Sequence, residues 1–381
     1  MATSTEHTAF TPAPDTSMDK TPRFTWHGVK TVTTLELTQR LRSSKWRIAL
    51  LIWFLGVGAI CLLIAGATAS SMTGSTQVSH VGPMIFGVNV YFILFMGLLI
   101  TPTLASTAIN GDRASGTLAI LQASLLTPLE IAVGKLLASW ISAMAFLIIS
   151  VPFIVWSLGA GGVKVWSVVA VLAAMSFVLL VVCAVSLYMS ARMAKTATST
   201  VMSYLYVAFV SGILVVLFGV SMVVFMNNEE VKEMAPNTYS EITGHPKTCA
   251  VQDTYDQSTP TEAFWWLLAP NPFVIVADVS VLTNDAPDYY VDSDPLASVS
   301  HGVRTARVGE GISYNEAWCR EDGSVRSVEE AEALLNQKET SSPVWPWGLA
   351  INLVIGAAAL YGTQRRLKAP YRQLPKGIRI A

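Results

Sequence analysis

Charge is scarce in this chain. Of its 381 residues only 13% are Asp, Glu, Lys or Arg, against 52% hydrophobic, and mean hydropathy is +0.48. A soluble domain carries about 25% charge, so the composition excludes an ordinary soluble globule. Cysteine is scarce as well: there are four, with no CxxC and no Cys/His spacing that suggests a metal. No GxxxxGK[ST] loop occurs, since Gly134-Lys135 runs on into Leu136, so the chain has no phosphate cradle of its own. The long apolar runs lack Asp, Glu and His, and His7, His27, His80, His245 and His301 all fall outside them. That argues against a proton- or ion-coupled carrier. It argues equally against an intramembrane enzyme, which needs a Ser/His, Glu/His or paired-acid set at membrane depth. A passive channel or scaffold is disfavoured by the absence of charge rings. Acidic neighbours such as Asp292 with Asp294, or Glu329 with Glu330, read as solvated faces.

What the chain does contain is length in apolar runs. Crossing a hydrocarbon core of about 30 Å takes about 20 residues. Six such runs lie near 47–68, 84–108, 131–156, 165–190, 200–226 and 344–364. They predict an all-α polytopic membrane protein with six transmembrane helices. Lys135 and Lys164 sit at run ends, where long side chains snorkel to headgroups. Residues 1–25 carry Pro12, Pro14 and Pro22 with no apolar core, which predicts a disordered tail and no cleaved signal peptide.

Sidedness follows from Lys and Arg in the short loops. Seven precede the first run (Lys20, Arg23, Lys30, Arg40, Arg42, Lys45 and Arg47), and the 69–83 loop has none. Arg113 and Lys135 follow the second run, Arg192 and Lys195 the fourth, and six basic residues follow the last. Both termini and the 110–135 and 191–199 loops are therefore expected in the cytoplasm of a bacterial plasma membrane. Segment 227–343, with twenty acidic and seven basic residues, is expected to be extracellular. Cys249 and Cys319 fall in it, where an oxidising exterior favours a disulfide over two free thiols. A loop of about 70 residues closed that way contributes roughly 4 kcal/mol in the chain-entropy model. Cys61 and Cys183 read as packing residues. "TEAFWWLLAPNPFVIVADVSVL" is apolar but broken by Pro270 and Pro272. It predicts two short interfacial or re-entrant helices near 261–283, with Trp265 and Trp266 at the interface. The expected domains are a tail (1–25), a connecting helix with five spans (26–226), the external domain (227–343), the sixth span (344–364) and a basic tail (365–381).

Two cytoplasmic features stand out. In "TPLE", Thr127 can cap, Pro128 opens a helix, and Glu130 completes a capping box, so the third span starts at Thr127. Before it, Thr117 caps a short helix in which Leu118, Leu121 and Leu125 form an apolar stripe. That helix either lies on the bilayer or docks a partner, with Asp112 and Arg113 as polar contacts. Residues 26–45 read as an amphipathic helix along the membrane surface: Val29, Val32, Leu37 and Leu41 form its apolar side, while Glu36, Gln39, Arg40 and Arg42 lie on other faces. Asn89, Thr101, Thr103, Ser203, Tyr204, Tyr206 and Asn352 are polar residues within the runs. Each either hydrogen-bonds between helices or lines a substrate path; Asn89, Thr101, Ser203 and Tyr204 are the candidates for the path. Gly348, Gly356 and Gly362 read as close-packing positions.

With six runs, the amphipathic helix and "DRASGTLAILQASLLTPLEIAVGK" together, the chain resembles the permease subunits of ABC-2 type (type V exporter-like) ABC transporters. The pattern of that loop is supplied here by Asp112, Arg113, Gly116, Thr117, Leu118, Thr127, Pro128, Glu130, Gly134 and Lys135. Ala114 and Ala119 stand where the family commonly has acids. "SLYMSARMAKTATSTVMSYL" and the terminal "PYRQLPKGIRIA" are similar too. The resemblance implies an N-terminal connecting helix, a cytoplasmic coupling helix between spans 2 and 3, and an extracellular insertion between spans 5 and 6. It implies a permease without catalytic residues or cofactor of its own, working with a separate ATPase subunit that binds ATP and Mg. A second permease chain, the same or homologous, and the lipid bilayer are the other implied partners, with no role for nucleic acid. The ATPase-coupling residues it implies are Asp112, Arg113, Gly116, Thr117, Leu118, Leu121, Leu125, Thr127, Pro128 and Glu130.

Overall fold

The computed structural model of the chain describes residues 24–71, 81–118, 121, 126–159, 161–239, 245–258, 260–281, 294–309, 314–320, 322–336 and 343–368. The chain is mostly helical. Six helices are long and apolar enough to cross a membrane: Ser44–Ala67, Gly82–Ala114, Pro128–Gly159, Val165–Arg192, Thr196–Val224 and Trp345–Lys368, called spans 1 to 6 below. Spans 2 and 4 bury the largest share of their apolar windows and form the centre of the bundle. Spans 1 and 5 bury the least, and turn most of their surface outward. The core runs through Phe86, Val90, Leu94, Met175, Val178 and Ile275, all of them buried. Small residues set the closest helix approaches. A Cβ on Gly348 would lie 2.4 Å from the Ala269 carbonyl oxygen, and one on Gly362 would lie 2.6 Å from the Tyr188 ring.

The connecting helix, Trp26–Arg42, starts at Thr25, whose hydroxyl accepts the Gly28 N–H. It packs lengthwise on the first turns of span 3. Its buried face is Gly28, Val29, Val32 and Thr33. Gly134 makes that contact tight, because a Cβ there would stand 2.7 Å from Val32 Cβ. The expected apolar side is corrected in part: Leu41 is exposed and Leu37 only half-buried, while Glu36 and Arg40 turn inward. They do so because span 3 offers polar partners at those positions.

Span 5 contains a π-helical turn at Phe209–Ile213. Beside it, Thr261–Leu267 and Pro272–Ser280 form a helix pair bent by 108°. Pro270 and Pro272 break the helix, and Asn271 bridges the break. Its Oδ1 accepts from Phe273 N, and its Nδ2 donates to the Ser211 carbonyl in the π turn. Asn352 of span 6 donates to the Pro270 carbonyl.

The all-α expectation needs correcting at one place. Asn227–Tyr239 and Pro246–Ser258 form a two-stranded antiparallel hairpin, paired from Asn227↔Ser258 to Tyr239↔Pro246 with an irregularity after Pro236. Glu, Lys, Asn and Pro are poor strand formers, so no local signal announces it; the ladder itself satisfies the backbone. A disulfide between Cys249 and Cys319, with Cα atoms 5.9 Å apart, ties the hairpin to a small cluster of Ala317, Trp318 and Ala331.

Candidate functional site

The basic end of the bundle gathers the connecting helix, the turn after span 2 and the start of span 3. Three buried polar centres hold them together. The first is Glu130, at the third position of span 3. Its Oε2 accepts from Thr127 N at 2.5 Å and from the Thr127 hydroxyl at 2.9 Å, and Glu130 N donates to Thr127 Oγ1 at 3.2 Å. That is the capping box expected of "TPLE". Its other oxygen, Oε1, accepts from both the N–H and the hydroxyl of Thr25, each at 2.6 Å. One carboxylate thus serves the N-terminal ends of two helices.

The second centre is Lys135. It does not snorkel: it is 1% exposed, and its ammonium donates to Glu36 of the connecting helix and, at 2.5 Å, to Asp112 of the turn after span 2. A lysine one turn inside a span cannot stay charged in an apolar setting alone, and here two carboxylates from different elements surround it. Asp112, expected to point at a partner, therefore spends its side chain on this internal pair. The third centre is Arg40. It donates to Ser142 Oγ at 2.9 Å, the Leu104 carbonyl at 2.9 Å and Ser139 Oγ at 3.3 Å, which pins the end of the connecting helix to spans 2 and 3. Burial pulls its pKa below the ordinary arginine value.

A fourth cluster was not legible as a site. Asn110 donates to Ser199 Oγ at 2.7 Å and accepts from Ser190 Oγ at 3.1 Å, and Ser199 donates to the Ser106 carbonyl at 2.7 Å. All four residues are buried. They clamp the turn after span 2 onto the junction of spans 4 and 5. Four small polar residues spread over 93 positions give no spacing signal; only the fold assembles them.

Between these anchors, Ala114, Ser115, Gly116 and Thr117 are exposed. Gly116 adopts φ 78°, the left-handed value that ends the short helix Asn110–Ala114. Thr117 does not cap forward as expected: its hydroxyl donates back to the Asp112 carbonyl at 3.3 Å. Arg113 reaches the Ala191 carbonyl at 3.4 Å. Leu118 is buried in a core with Ile109, Ile131 and Leu187, and Leu121 packs against the same core. Leu125 and most of the expected coupling helix lie outside the described residues.

The four candidates for a substrate path do not converge. Asn89 donates to Cys61 Sγ, Thr101 and Ser203 bond carbonyls of their own helices, and Tyr204 donates to the Leu99 carbonyl of span 2. None lines the largest groove described below. Among the described residues no cluster of His, Cys, Asp and Glu could hold a metal. Of the acidic neighbours, Glu330 pairs with Arg320 at 2.6 Å, and Asp294 caps a helix through Leu296 N at 2.9 Å.

At the opposite end the sequence reading missed Asp278, within the broken apolar segment and fully buried. Its Oδ1 accepts from Arg304 at 2.5 Å and Ser300 at 2.7 Å. Its Oδ2 accepts from the N–H groups of Val344 and Trp345 at 2.6 and 2.7 Å, at the entry to span 6. A lone Asp in an apolar run was the signal, and the break of Pro270 and Pro272 obscured it.

Compared with protein-family models and with curated proteins, the chain has no match.

Proposed function

We propose that this chain is the membrane-spanning permease subunit of an ATP-driven ABC exporter of the ABC-2 type, working with a separate ATPase subunit and a second permease chain. One observation carries the reading: the turn after span 2 and the connecting helix are joined to span 3 as one body, through Lys135 to Glu36 and Asp112 and through Glu130 to Thr25. A loop that merely links two spans has no use for a buried ion triad. A loop that receives force from a partner does, because a push on it reaches spans 2 and 3 and the connecting helix without loss in a soft joint. The charge-poor spans favour an amphipathic or apolar cargo, and the basic end is the cytoplasmic one under the positive-inside rule.

This refines the contact surface. With Asp112 and Leu118 turned inward, the ATPase would meet Ala114–Thr117 and the residues that follow. ATP and Mg belong to that partner, and the permease itself carries out no covalent chemistry. The test is purification of the tagged chain from its native membranes in mild detergent, with partners identified by mass spectrometry. A stoichiometric P-loop ATPase supports the reading, and recovery of the chain without any ATPase contradicts it.

A further inference from the structure

The largest groove in the bundle lies between spans 1 and 2, with Phe146 of span 3 as its floor, and has a volume of about 700 Å³. That is within the range of about 300–1,000 Å³ typical of small-ligand sites. Its walls are apolar: Trp46, Ile52, Trp53, Val57, Phe92 and Met96. They are also fixed. Trp46 and Trp53 both pack edge-on against Phe146, with centroids 5.2 and 5.3 Å away, and Trp53 Nε1 donates to Ser150 Oγ at 2.8 Å.

The groove is polar at one end only. Arg40, Ser43 and Lys45 rim it where the connecting helix turns into span 1, and no carboxylate lines it among the described residues. Arg40 is held in place by three hydrogen bonds, and Lys45 is exposed. An apolar slot beside a helix of membrane-spanning length, closed at the basic end by two cations, matches one chemistry: acyl chain along the slot, phosphate at the cations.

We infer that this groove binds one anionic glycerophospholipid from the leaflet at the basic end, with its phosphate between Lys45 and Arg40 and an acyl chain along Trp46, Trp53 and Gly56. The lipid would brace span 1, one of the least buried of the six, against span 2. This goes beyond the transport reading and needs only that the six helices cross a membrane.

Gly56 supplies the test, because a Cβ there meets nothing within 4 Å. Gly56→Leu therefore fills the groove without displacing a neighbour, and Ala49→Phe, at a second lining position, repeats the test independently. The purified full chain would be equilibrated in micelles containing equal phosphatidylglycerol and phosphatidylcholine, and retained lipid read by native mass spectrometry. The expected result is one phosphatidylglycerol per chain, preferred several-fold over phosphatidylcholine. Lys45→Glu should lower that preference by about fivefold or more, as for one basic side chain facing an anionic lipid. Gly56→Leu and Ala49→Phe should remove both lipids. Equal retention of the two lipids by the wild-type chain would overturn the inference. So would retention untouched by either filling variant, the result expected if a second copy of the chain or a cargo molecule covers the groove instead.

Discussion

Glu130 Oε1 accepts hydrogen bonds from both the backbone N–H and the hydroxyl of Thr25, across 105 residues of chain. The same carboxylate caps span 3 through Thr127. Each N-cap contributes about 0.5–2 kcal/mol, so Glu130→Ala should cost about 1–4 kcal/mol in unfolding of the detergent-solubilised chain. Thr25→Ala should be costly in the wild-type background and nearly silent in the Glu130→Ala background, since the two remove the same bonds. Additive costs in that double-mutant cycle would show the contact to be idle.

Removing Lys135 leaves Glu36 and Asp112 facing each other around a dry gap. Breaking a buried pair from one side costs roughly 3–5 kcal/mol, whereas replacing all its members costs far less. Lys135→Met should therefore destabilise strongly, and Glu36→Gln with Asp112→Asn should restore most of the loss. Thermal unfolding of the three chains side by side measures this.

Gly134 and Val32 form the closest approach between the connecting helix and span 3. Gly134→Leu overfills it, at a cost of about 1–3 kcal/mol, and should free the connecting helix for proteolysis near its start. Val32→Ala should partly rescue it. An unchanged cleavage rate in Gly134→Leu would show the helix to be held elsewhere.

Asp294 caps Pro295–Val308, and burial raises its pKa above the ordinary carboxylate value. The folded chain thus holds this proton more tightly than the unfolded chain. The stability that comes from it is present below the unfolded value of about 3.9 and is lost as pH rises through the higher folded value. Asp294→Asn keeps the cap and has no such loss. The variant should gain on the wild type in unfolding temperature as pH rises through the carboxylate range, and a gap that does not change with pH would refute this.

The parts of the fold that could be read from sequence are those encoded within a single segment. Apolar length gave the six helices to within a few residues, Thr127-Pro128-Leu129-Glu130 announced its own capping box, and Pro270 with Pro272 announced the bent pair. What could not be read depends on segments far apart. Lys135 looks like a snorkelling end residue until Glu36 and Asp112 are placed around it. Glu36 and Arg40 look solvated until span 3 supplies their partners. Asn110, Ser190 and Ser199 carry no pattern at all. The hairpin at Asn227–Ser258 has a composition that disfavours strands, and it exists through its pairing.

The central claim is that the exposed turn at Ala114–Thr117 receives an ATPase. Thr117→Cys places a reactive thiol there, while Cys61 and Cys183 are buried and Cys249 and Cys319 are bonded to each other. Short bifunctional maleimide cross-linking in native membranes, with Ser324→Cys at the opposite end as control, then identifies the neighbour of the turn by mass spectrometry. The account predicts a single adduct from Thr117→Cys that contains a P-loop ATPase, and none from the control. No adduct at Thr117, or the same adduct from both positions, would contradict it.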